Sequence, residues 1–376
     1  MKQEKKNNTE GRATIAFNKL LEEYDCIIAG DGELAILEFL KDTSIRFIDS
    51  DDINSKLFMT NDFYDKTPYP SRHLIDMKSY HYLIDGVDST SIIAQLGCPF
   101  ECGFCGGRNS PMLRKIRVRT IESIISEIEF LYNTYGYKGF MFYDDELNVN
   151  PKLVELMSEI IKLQNKLGVE FKLRGFVKSE LFNEKQAEIM YKAGFRWLLT
   201  GFESGSERIL KNMNKKATVD SNFKAVEISR KYGLKVKALM SIGHPGESVD
   251  TINETKKWLL DIKPDEFDVT VITPYPGSPY YDESVKTSEN VWTYTYKKTG
   301  DRLHSSQIDY NEVSDYYKGI IGEYKSYTWT DFLTSDDIVF LRDELEKDVK
   351  EGLKISTIKT ESSSIVYEHS MGQNIN

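Results

Sequence analysis

The chain has 376 residues, of which 40% are hydrophobic, and it carries a formal net charge of −10 at pH 7. This length and composition suffice for one large core with appendages, and the acidic balance argues against a nucleic-acid partner held mainly through phosphate contacts. No apolar stretch approaches the roughly 20 residues that a membrane-spanning helix needs. The polar N-terminus also lacks the apolar centre of a signal peptide, so we expect a soluble, cytoplasmic protein.

A strand, a turn and a helix are predicted near the start of the chain. Apolar residues 24–30 are followed by Asp31-Gly32-Glu33, and residues 34–40 have the composition of a short helix. One such unit has no partner for its apolar faces, so it must pack on the rest of the protein or on another chain. We assign residues 1–43 to this unit and residues 44–88 to a polar, proline-interrupted linker.

Three of the four cysteines, Cys98, Cys102 and Cys105, lie within eight positions. The apolar run 91–96 predicts a strand that leads into them, and the intervening glycines and proline keep the cysteine segment itself out of regular structure. Such a loop can bring three thiolates onto one metal centre. A structural zinc site needs a fourth ligand from Cys26 or a distant histidine, whereas a [4Fe-4S] cluster held by three cysteines leaves one iron open. The spacing favours the cluster, with a zinc site and buried free thiols as alternatives.

The spacing C-x3-C-x2-C, with the aromatic Phe104 directly before the last cysteine, resembles the cluster motif of radical S-adenosylmethionine (SAM) enzymes. The resemblance covers about residues 66–285. It implies that Cys98, Cys102 and Cys105 hold a [4Fe-4S] cluster whose open iron chelates the amino and carboxylate groups of SAM. It further implies that an electron from the cluster splits the sulfonium to give a 5'-deoxyadenosyl radical. On the same basis Phe104 is counted among the cofactor-binding residues.

Strand and helix patterns alternate through residues 89–285, which we assign to the core domain. Strands are predicted at 91–96, 139–143, 170–174, 196–202, 235–242 and 267–273, with helices that begin near Ile121 and Pro151 or span 183–193, 219–232 and 249–260. Each helix makes a crossover, so the pattern predicts six βα units and a parallel sheet. Radical SAM cores resemble this arrangement, which implies an α/β fold with a partial (βα)6 TIM-like barrel.

Polar residues follow several predicted strands, at the edge where the chemistry of such barrels collects. Asp144 and Asp145 follow the second strand as either a helix cap or a site, whereas Glu203, flanked by glycines, favours a site. The family resemblance implies that the end of the second strand meets the amino group of SAM. It also implies that Glu203 and Ser204 meet the ribose and that Gly243 leaves room for adenine. The sequence assigns no catalytic role toward a second substrate.

Other charged residues near the same edge have several possible roles. Arg174 is predicted to end the third strand, and His244 either supports the residues that contact the cofactor, contacts the substrate, or stacks structurally. A basic patch lies just past the cysteine loop and consists of Arg108, Arg114, Lys115, Arg117 and Arg119. The patch is interpreted either as a solvated approach to the next helix or as a contact for an anionic substrate or electron donor.

The residues Gly30-Asp31-Gly32-Glu33 resemble a phrase that follows the last strand of the cobalamin-binding domain in one large radical SAM subgroup. The D-x-H-x-x-G motif, whose histidine binds cobalt in that subgroup, is missing from the sequence. Residues 1–43 are therefore interpreted as a remnant of a cobalamin-binding-type α/β domain. Either the rest of the domain was lost in evolution, or another chain supplies it.

The C-terminal part differs in composition from the core. Residues 286–355 are rich in tyrosine and tryptophan and include an amphipathic helix predicted at 335–352. We expect this helical and aromatic extension to pack over the open side of the barrel, where it completes the core or forms a wall of a substrate pocket. Residues 356–376 are small and polar, which predicts a disordered tail.

Three functions are compatible with these features. The first is radical SAM chemistry that begins with hydrogen abstraction from a C–H bond of a small metabolite. The second is half of a cobalamin-dependent radical SAM methyltransferase completed by another chain, and the third is a catalytically idle cluster protein or gene fragment that acts as a binding partner. The expected cofactors are a [4Fe-4S] cluster and SAM, whereas we expect no cobalamin on this chain alone. The expected partners are a small-molecule substrate and a reductant such as flavodoxin or ferredoxin, without a membrane.

The cysteine assignment is testable through iron content. After anaerobic reconstitution we expect about four irons per chain, because that is the stoichiometry of a [4Fe-4S] cluster. Cys98→Ala, Cys102→Ala and Cys105→Ala should each abolish iron binding, because each removes a ligand. Cys26→Ala is the matched control and should retain the iron. Equal loss of iron from Cys26→Ala would contradict the assignment.

Overall fold

The computed structural model describes residues 12–80, 82–307 and 324–355 of the chain. The predicted tail at 356–376 and the aromatic residues Tyr310, Tyr316 and Tyr317 lie outside these ranges. In the part of the chain that is described, no helix is both long enough and apolar enough to span a membrane.

The N-terminal part forms a small α/β unit. Its elements are α1 (Arg12–Glu23), β1 (Ile27–Ala29), α2 (Gly32–Lys41), β2 (Phe47–Asp49) and α3 (Asn61–Lys66). The predicted strand, turn and helix are present, and β1 pairs in parallel with β2. Strand β2 falls in the segment predicted as a linker, so regular structure continues beyond residue 43, and the domain boundaries themselves remain predictions.

The middle of the chain alternates strands and helices. In chain order its elements are β3 (Leu83–Ile84), β4 (Val87–Ile92), β5 (Gln95–Leu96), α4 (Pro111–Arg114), β6 (Arg117–Val118), α5 (Ile121–Tyr135), β7 (Gly139–Phe142), α6 (Leu153–Leu167), β8 (Lys172–Phe176), α7 (Glu184–Lys192), β9 (Phe195–Glu203), α8 (Glu207–Asn212), α9 (Val219–Lys231), β10 (Lys235–Ile242), α10 (Val249–Ile262), β11 (Glu266–Val271) and α11 (Pro279–Asp282). The side chains of Thr120, Asn183, Thr218 and Ser248 accept hydrogen bonds from the first turns of α5, α7, α9 and α10. These caps explain why those helices begin where the sequence predicts.

The main sheet has seven strands in the order β11-β10-β9-β8-β7-β4-β3. Strands β4 and β7 to β11 pair in parallel, which confirms the partial (βα)6 TIM-like barrel. Strand β3, which the sequence analysis did not predict, pairs antiparallel with β4 at the edge of the sheet. The carboxyl ends of six consecutive parallel strands therefore lie along one rim of the sheet.

The two faces of the sheet contact different surroundings. Phe140, Phe142 and Leu198 belong to the large core between the sheet and its helices. Met141 and Trp197, which alternate with them along the strands, belong to a smaller cluster on the other face. The second face is the interior of the partial barrel, because the crossover helices cover the first.

The predicted positions of the first and third strands are wrong. The first was predicted at 91–96, whereas β4 runs from Val87 to Ile92. The third is displaced by two residues. Strand β8 runs from Lys172 to Phe176, so Arg174 lies in mid-strand with no exposed surface and does not end the strand. The N–H of Phe171 is bonded to the side chain of Gln164 at 2.7 Å, so this apolar residue precedes the strand.

The C-terminal part contains a second sheet that the sequence analysis missed. Its elements are β12 (Val285–Ser288), β13 (Val291–Thr295), β14 (Arg302–Ser306), β15 (Thr328–Thr330) and α12 (Ser335–Leu353), and the four strands pair antiparallel in chain order. The predicted helix is present as α12, and its buried residues Ile338, Leu345 and Val349 join the large core. The Nε–H of Arg342 donates to the carbonyl of Val269 at 2.9 Å, so α12 covers the free edge of β11.

Candidate functional site

The loop that carries the three clustered cysteines begins at a sterically fixed glycine. Gly97 adopts φ +90°, and a Cβ atom there would lie 2.1 Å from the carbonyl oxygen of Lys115. Its N–H donates to Oδ2 of Asp145 at 2.6 Å. The next N–H, that of Cys98, donates to the carbonyl of Leu113 at 2.8 Å. A larger side chain at position 97 would displace the loop, so the glycine predicted to break the strand has a specific steric role.

The centre of the loop is fixed from the opposite side. The N–H of Gly103 donates to the carbonyl of Met213 at 2.8 Å, and the carbonyl of Gly103 accepts from the N–H of Tyr280 at 3.0 Å. A Cβ atom at Gly103 would lie 2.6 Å from Cε1 of Tyr280. The cysteine loop therefore rests on the end of α8 and on α11, which follow β9 and β11.

The three loop thiols lie close enough to affect one another's ionisation. All four cysteines are free, with Cys98 and Cys102 half-buried and Cys105 exposed. Burial raises the pKa of Cys98 to about 11, and the neighbouring thiols contribute to this rise. Burial also raises the pKa of Cys102, against the opposing charges of Lys215 and Lys178. In the described ranges, no three His, Cys, Asp or Glu side chains are gathered at metal-binding distances.

The donor set on this loop fits a [4Fe-4S] cluster. Three cysteines on one glycine-containing loop are the soft ligands that such a cluster requires. The buried lysines Lys178 and Lys215 lie near Cys102 and oppose the pKa increase caused by burial, so they favour its thiolate form. Cys26 is half-buried in the N-terminal α/β unit, directly before β1 and outside the cysteine loop.

Asp144 and Asp145 both contact the segment that joins β4 to the cysteine loop. Asp144 is fully buried, and its Oδ1 accepts from the N–H of Ala94 at 3.1 Å, whereas its Oδ2 has no hydrogen-bond partner among the described residues. Burial raises the pKa of Asp144 to about 8. Asp145 is exposed and accepts from Gly97. Anchoring this segment is thus an observed role of both residues, and contact with the SAM amino group remains a prediction.

Glu203 ends β9 in an unusual backbone conformation. Its φ is +65°, a region that residues other than glycine rarely adopt. Its Oε2 accepts from Ser241 Oγ at 2.7 Å, and its Oε1 lies 3.4 Å from Nζ of Lys215. The structure thus holds this carboxylate from two sides at the rim of the barrel.

Ser204 and Gly243, two further predicted cofactor residues, have different surroundings. The hydroxyl of Ser204 is buried on the face of the sheet that the helices cover. It lies 3.1 Å from the hydroxyl of Thr255 on α10. Gly243 follows β10 with φ +91°, and a Cβ atom there would lie 3.2 Å from Ile272. Its N–H donates to Oε2 of the buried Glu247 at 3.2 Å, and burial raises the pKa of Glu247 to about 7. Contact of Ser204 with ribose and of Gly243 with adenine remain predictions.

A group of buried charges beside the cysteine loop was not predicted as a set. Lys178 pairs with Glu180 at 2.6 Å, and its Nζ lies 4.2 Å from the ring centre of Phe100 in the loop. Burial raises the pKa of Glu146 to about 7, while Lys215 and Lys178 oppose the rise. Burial alone would lower the pKa of Lys215, but the facing carboxylates and Cys102 raise it. Glu146 follows β7 and Lys178 follows β8, and charged residues directly after buried strands could have predicted this part of the group from the sequence.

Both sequence-based interpretations of the basic patch are wrong for two of its members. Arg117 is fully buried and pairs with Asp31, and Arg119 pairs with the buried Glu127 at 2.6 Å. These arginines attach neighbouring segments to the barrel. The remaining members, Arg108, Arg114 and Lys115, are partly or fully exposed beside the cysteine loop.

Comparison with known proteins gives a family and a set of relatives. Residues 92–259 match the family described as the radical SAM superfamily. An uncharacterized methyltransferase of Pyrococcus horikoshii is 31% identical over 59% of this chain and 47% of its own length. The anaerobic magnesium-protoporphyrin IX monomethyl ester cyclase of Cereibacter sphaeroides is 27% identical over 76% of this chain and 49% of its own length. The chain therefore spans about half the length of these curated relatives.

A solved structure shares the fold. The structure of the radical SAM methyltransferase TsrM from Kitasatospora setae, with cobalamin and a [4Fe-4S] cluster bound, aligns with a TM-score of 0.51 and 20% identity. The alignment covers 59% of this chain and 44% of TsrM. At this identity the likeness supports the fold assignment alone.

The buried Asp144 predicts a pH dependence of stability. Because burial raises its pKa from 3.8 to about 8, the folded chain retains a proton that the unfolded chain releases between these values. The contribution of Asp144 to the free energy of unfolding should therefore fall as pH rises from about 4 to about 8 and then level off. Asp144→Asn mimics the protonated acid. It should therefore reduce the loss of unfolding free energy between about pH 4 and about pH 8 and stabilise the cluster-free chain at about pH 8.

Urea unfolding at a series of pH values measures this effect. Asp145→Asn is the matched control, because it removes a carboxylate at the same strand end from an exposed position. If the free energy of unfolding of Asp144→Asn depends on pH as steeply as that of the unmodified chain, Asp144 is not protonated in the folded chain in this pH range.

Proposed function

Because residues 92–259 match the radical SAM superfamily, we propose that this chain cleaves SAM reductively to start radical chemistry on a C–H bond of a small metabolite. In this proposal Cys98, Cys102 and Cys105 hold a [4Fe-4S] cluster. The observation that carries the proposal is the cysteine loop at the carboxyl rim of a six-strand partial barrel, with the fixed carboxylate of Glu203 on the same rim. When bound, the cluster supplies the electron for reductive cleavage of the SAM sulfonium.

Glu203 is suited to bind the ribose hydroxyls of SAM. A carboxylate accepts hydrogen bonds from both hydroxyls of a ribose, and such charge-assisted bonds are stronger than neutral ones. Ser241 and Lys215 fix the orientation of Glu203 before SAM binds, so less side-chain freedom is lost on binding. Lys215 also neutralises charge in a buried group that contains several carboxylates.

The substrate is proposed to lie on the interior face of the barrel. That face carries Met141 and Trp197, together with the buried charges of Arg174 and Lys237. Nζ of Lys237 lies 3.4 Å from a carboxylate oxygen of Asp268, so charge on this face is paired within the protein. The cysteine loop and Glu203 lie at the carboxyl rim of the barrel, which supports a substrate position close to that rim.

The reductant is proposed to be a separate small redox protein such as flavodoxin or ferredoxin. Cys105 is the most exposed of the three loop cysteines, and Arg108, Arg114 and Lys115 lie on the segment directly after it. Arg108 and Arg114 lie 4.0 and 3.5 Å from the carboxylate of Glu101, whereas Lys115 is exposed, so Lys115 supports the attraction of an acidic partner most directly. A reducing cytoplasm is the proposed location, because it keeps the three cysteines available as ligands.

SAM affinity tests the proposed role of Glu203. Each hydrogen bond to a charged group contributes about 1.5–3 kcal/mol, so Glu203→Ala should weaken SAM binding about tenfold or more. The iron content should not change, because no ligand is lost. Calorimetry on the anaerobic protein with its oxidised cluster measures the affinity. Glu289→Ala, which removes an exposed carboxylate from the C-terminal sheet, is the control.

The unmodified protein supplies the decisive comparison. Under strong reductant it should convert SAM slowly to methionine and 5'-deoxyadenosine even without its substrate. If no 5'-deoxyadenosine forms, the idle cluster protein is the better interpretation. Unchanged SAM affinity in Glu203→Ala, with the iron retained, would remove Glu203 from the site.

A second candidate function is half of a cobalamin-dependent radical SAM methyltransferase completed by another chain. The N-terminal unit favours it, since its sheet has two parallel strands, β1 and β2, within the described residues and the exposed side chains of α2 include Leu37 and Leu40. Parallel sheets usually occur with both faces covered. The relative from Pyrococcus horikoshii is named as a methyltransferase, and TsrM was solved with cobalamin.

Cobalamin binding tests this second candidate. We expect the isolated chain not to retain cobalamin, because the D-x-H-x-x-G motif is missing from the sequence and the described residues before the barrel form a small α/β unit with one pair of strands. Gel filtration after incubation, followed at the visible absorbance of cobalamin, measures retention. Stoichiometric cobalamin in the protein peak would contradict the prediction. Cobalamin in a complex isolated from the native source would favour the methyltransferase.

A further inference from the structure

A hydrogen-bonded chain of four side chains runs from Glu203 to the helix beneath the cysteine loop. Ser241 Oγ lies 2.7 Å from Glu203 Oε2 and 2.8 Å from His244 Nε2. Nδ1 of His244 lies 3.2 Å from the hydroxyl of Tyr280. We propose that Ser241, His244 and Tyr280 are positioning residues that fix the Glu203 carboxylate relative to the cysteine loop for SAM binding. This inference rests on the proposed function of Glu203 in binding SAM.

The donors and acceptors in the chain allow one direction. The Glu203 carboxylate only accepts, so the single proton of Ser241 points toward it. Ser241 Oγ must then accept from His244, which requires the proton on Nε2. A neutral imidazole with its proton on Nε2 accepts at Nδ1, so Tyr280 donates its hydroxyl proton there. All three protons therefore point from Tyr280 toward Glu203.

The surroundings keep this direction constant. His244 is fully buried, and burial together with the charge of Lys215 lowers its pKa to about 3. Burial also raises the pKa of Tyr280 well above its ordinary value. Both rings therefore stay neutral near neutral pH, and each retains the donor or acceptor that the chain requires.

The far end of the chain contacts the cysteine loop directly. The N–H of Tyr280 donates to the carbonyl of Gly103 at 3.0 Å. The ring of Phe104 meets the imidazole of His244 edge to face, with ring centres 5.5 Å apart. Tyr280 also packs on Tyr294 of the C-terminal sheet at 4.8 Å between ring centres. Movement of the loop would thus disturb the orientation of the Glu203 carboxylate, and the reverse also holds.

Two substitutions of His244 separate positioning from packing. His244→Gln keeps a polar group near the position of Nε2 and can still bond Ser241. His244→Asn is equally polar but reaches only about as far as Nδ1, so it loses the contact to Ser241. If His244 only fills space, the two variants should differ in stability alone. If it positions Glu203 through Ser241, they should differ in SAM affinity.

The experiment measures SAM affinity by anaerobic calorimetry on reconstituted protein with its oxidised cluster, together with iron content and melting temperature. We expect Ser241→Ala to weaken SAM binding about tenfold with the iron retained, because the charged Glu203 carboxylate loses a hydrogen bond that orients it. His244→Asn should weaken SAM binding to a similar extent, because Ser241 loses the donor that keeps its hydroxyl proton directed at Glu203. His244→Gln should stay within about threefold of the unmodified protein. The double variant Ser241→Ala/His244→Asn should bind no more weakly than Ser241→Ala, because both changes break one chain. Ser229→Ala, which removes a buried hydroxyl from α9, is the control.

The outcomes distinguish this inference from the proposed function. If Glu203→Ala weakens SAM binding but Ser241→Ala and His244→Asn do not, the positioning role is refuted while Glu203 keeps its role. If Glu203→Ala also leaves affinity unchanged, or if the unmodified protein binds no SAM, both are refuted. Equal affinities of His244→Gln and His244→Asn would refute the role of His244. If His244→Gln or His244→Asn fails to fold, the SAM affinity of Ser241→Ala tests the positioning role, since that variant changes neither the His244 ring nor the Tyr280 ring.

Discussion

The cysteine loop depends on close backbone packing at two glycines. At Gly97 the backbone passes so near the carbonyl of Lys115 that no Cβ atom fits, and at Gly103 the ring of Tyr280 occupies the same space. The backbone hydrogen bonds of the loop go to the segment that ends α4, to the end of α8 and to α11. A loop held in this way loses little conformational entropy when its thiols bind a cluster, because its backbone path is already fixed.

The sheet then decides what faces the loop. Parallel pairing brings the ends of β7, β9 and β10 to one rim, so Asp144, Glu203 and the segment with His244 meet there although they are far apart in sequence. The left-handed conformation of Glu203 turns its side chain toward Ser241 and Lys215. Such a conformation costs free energy, and residues held in it tend to occur at binding and catalytic sites.

Charge near the loop is arranged to suit a thiolate centre within a buried site. Lys178 and Lys215 oppose the effect of burial on Cys102, while Glu180 and Glu203 pair with the same lysines. Buried charges are tolerated only when they are paired or bound. The group is therefore both a structural feature, which joins the ends of several strands, and a local electrostatic environment for a cofactor.

Local patterns in the sequence determined much of this architecture. The spacing of Cys98, Cys102 and Cys105 and the periodicity of the βα units each act within a short window, so the loop, the six parallel strands and the crossover helices could be predicted. Glu203 was also predicted as a site residue, because its position after an apolar strand is a local feature. The four-stranded C-terminal sheet was missed, because its aromatic residues did not distinguish short strands from helix.

Only the tertiary structure decided which side chains surround Glu203. Strand β10 pairs with β9 through an irregular register between Leu239 and Met240, and this irregularity accompanies the contact of Ser241 with Glu203. Such a shift changes which residues face each other, and no single strand records it in its own sequence. Tyr280 reaches His244 from 36 positions away, because α11 follows β11, the strand that pairs with β10. Residue types and spacings therefore determined the cofactor loop, whereas pairing between distant strands determined the residues that orient its neighbours.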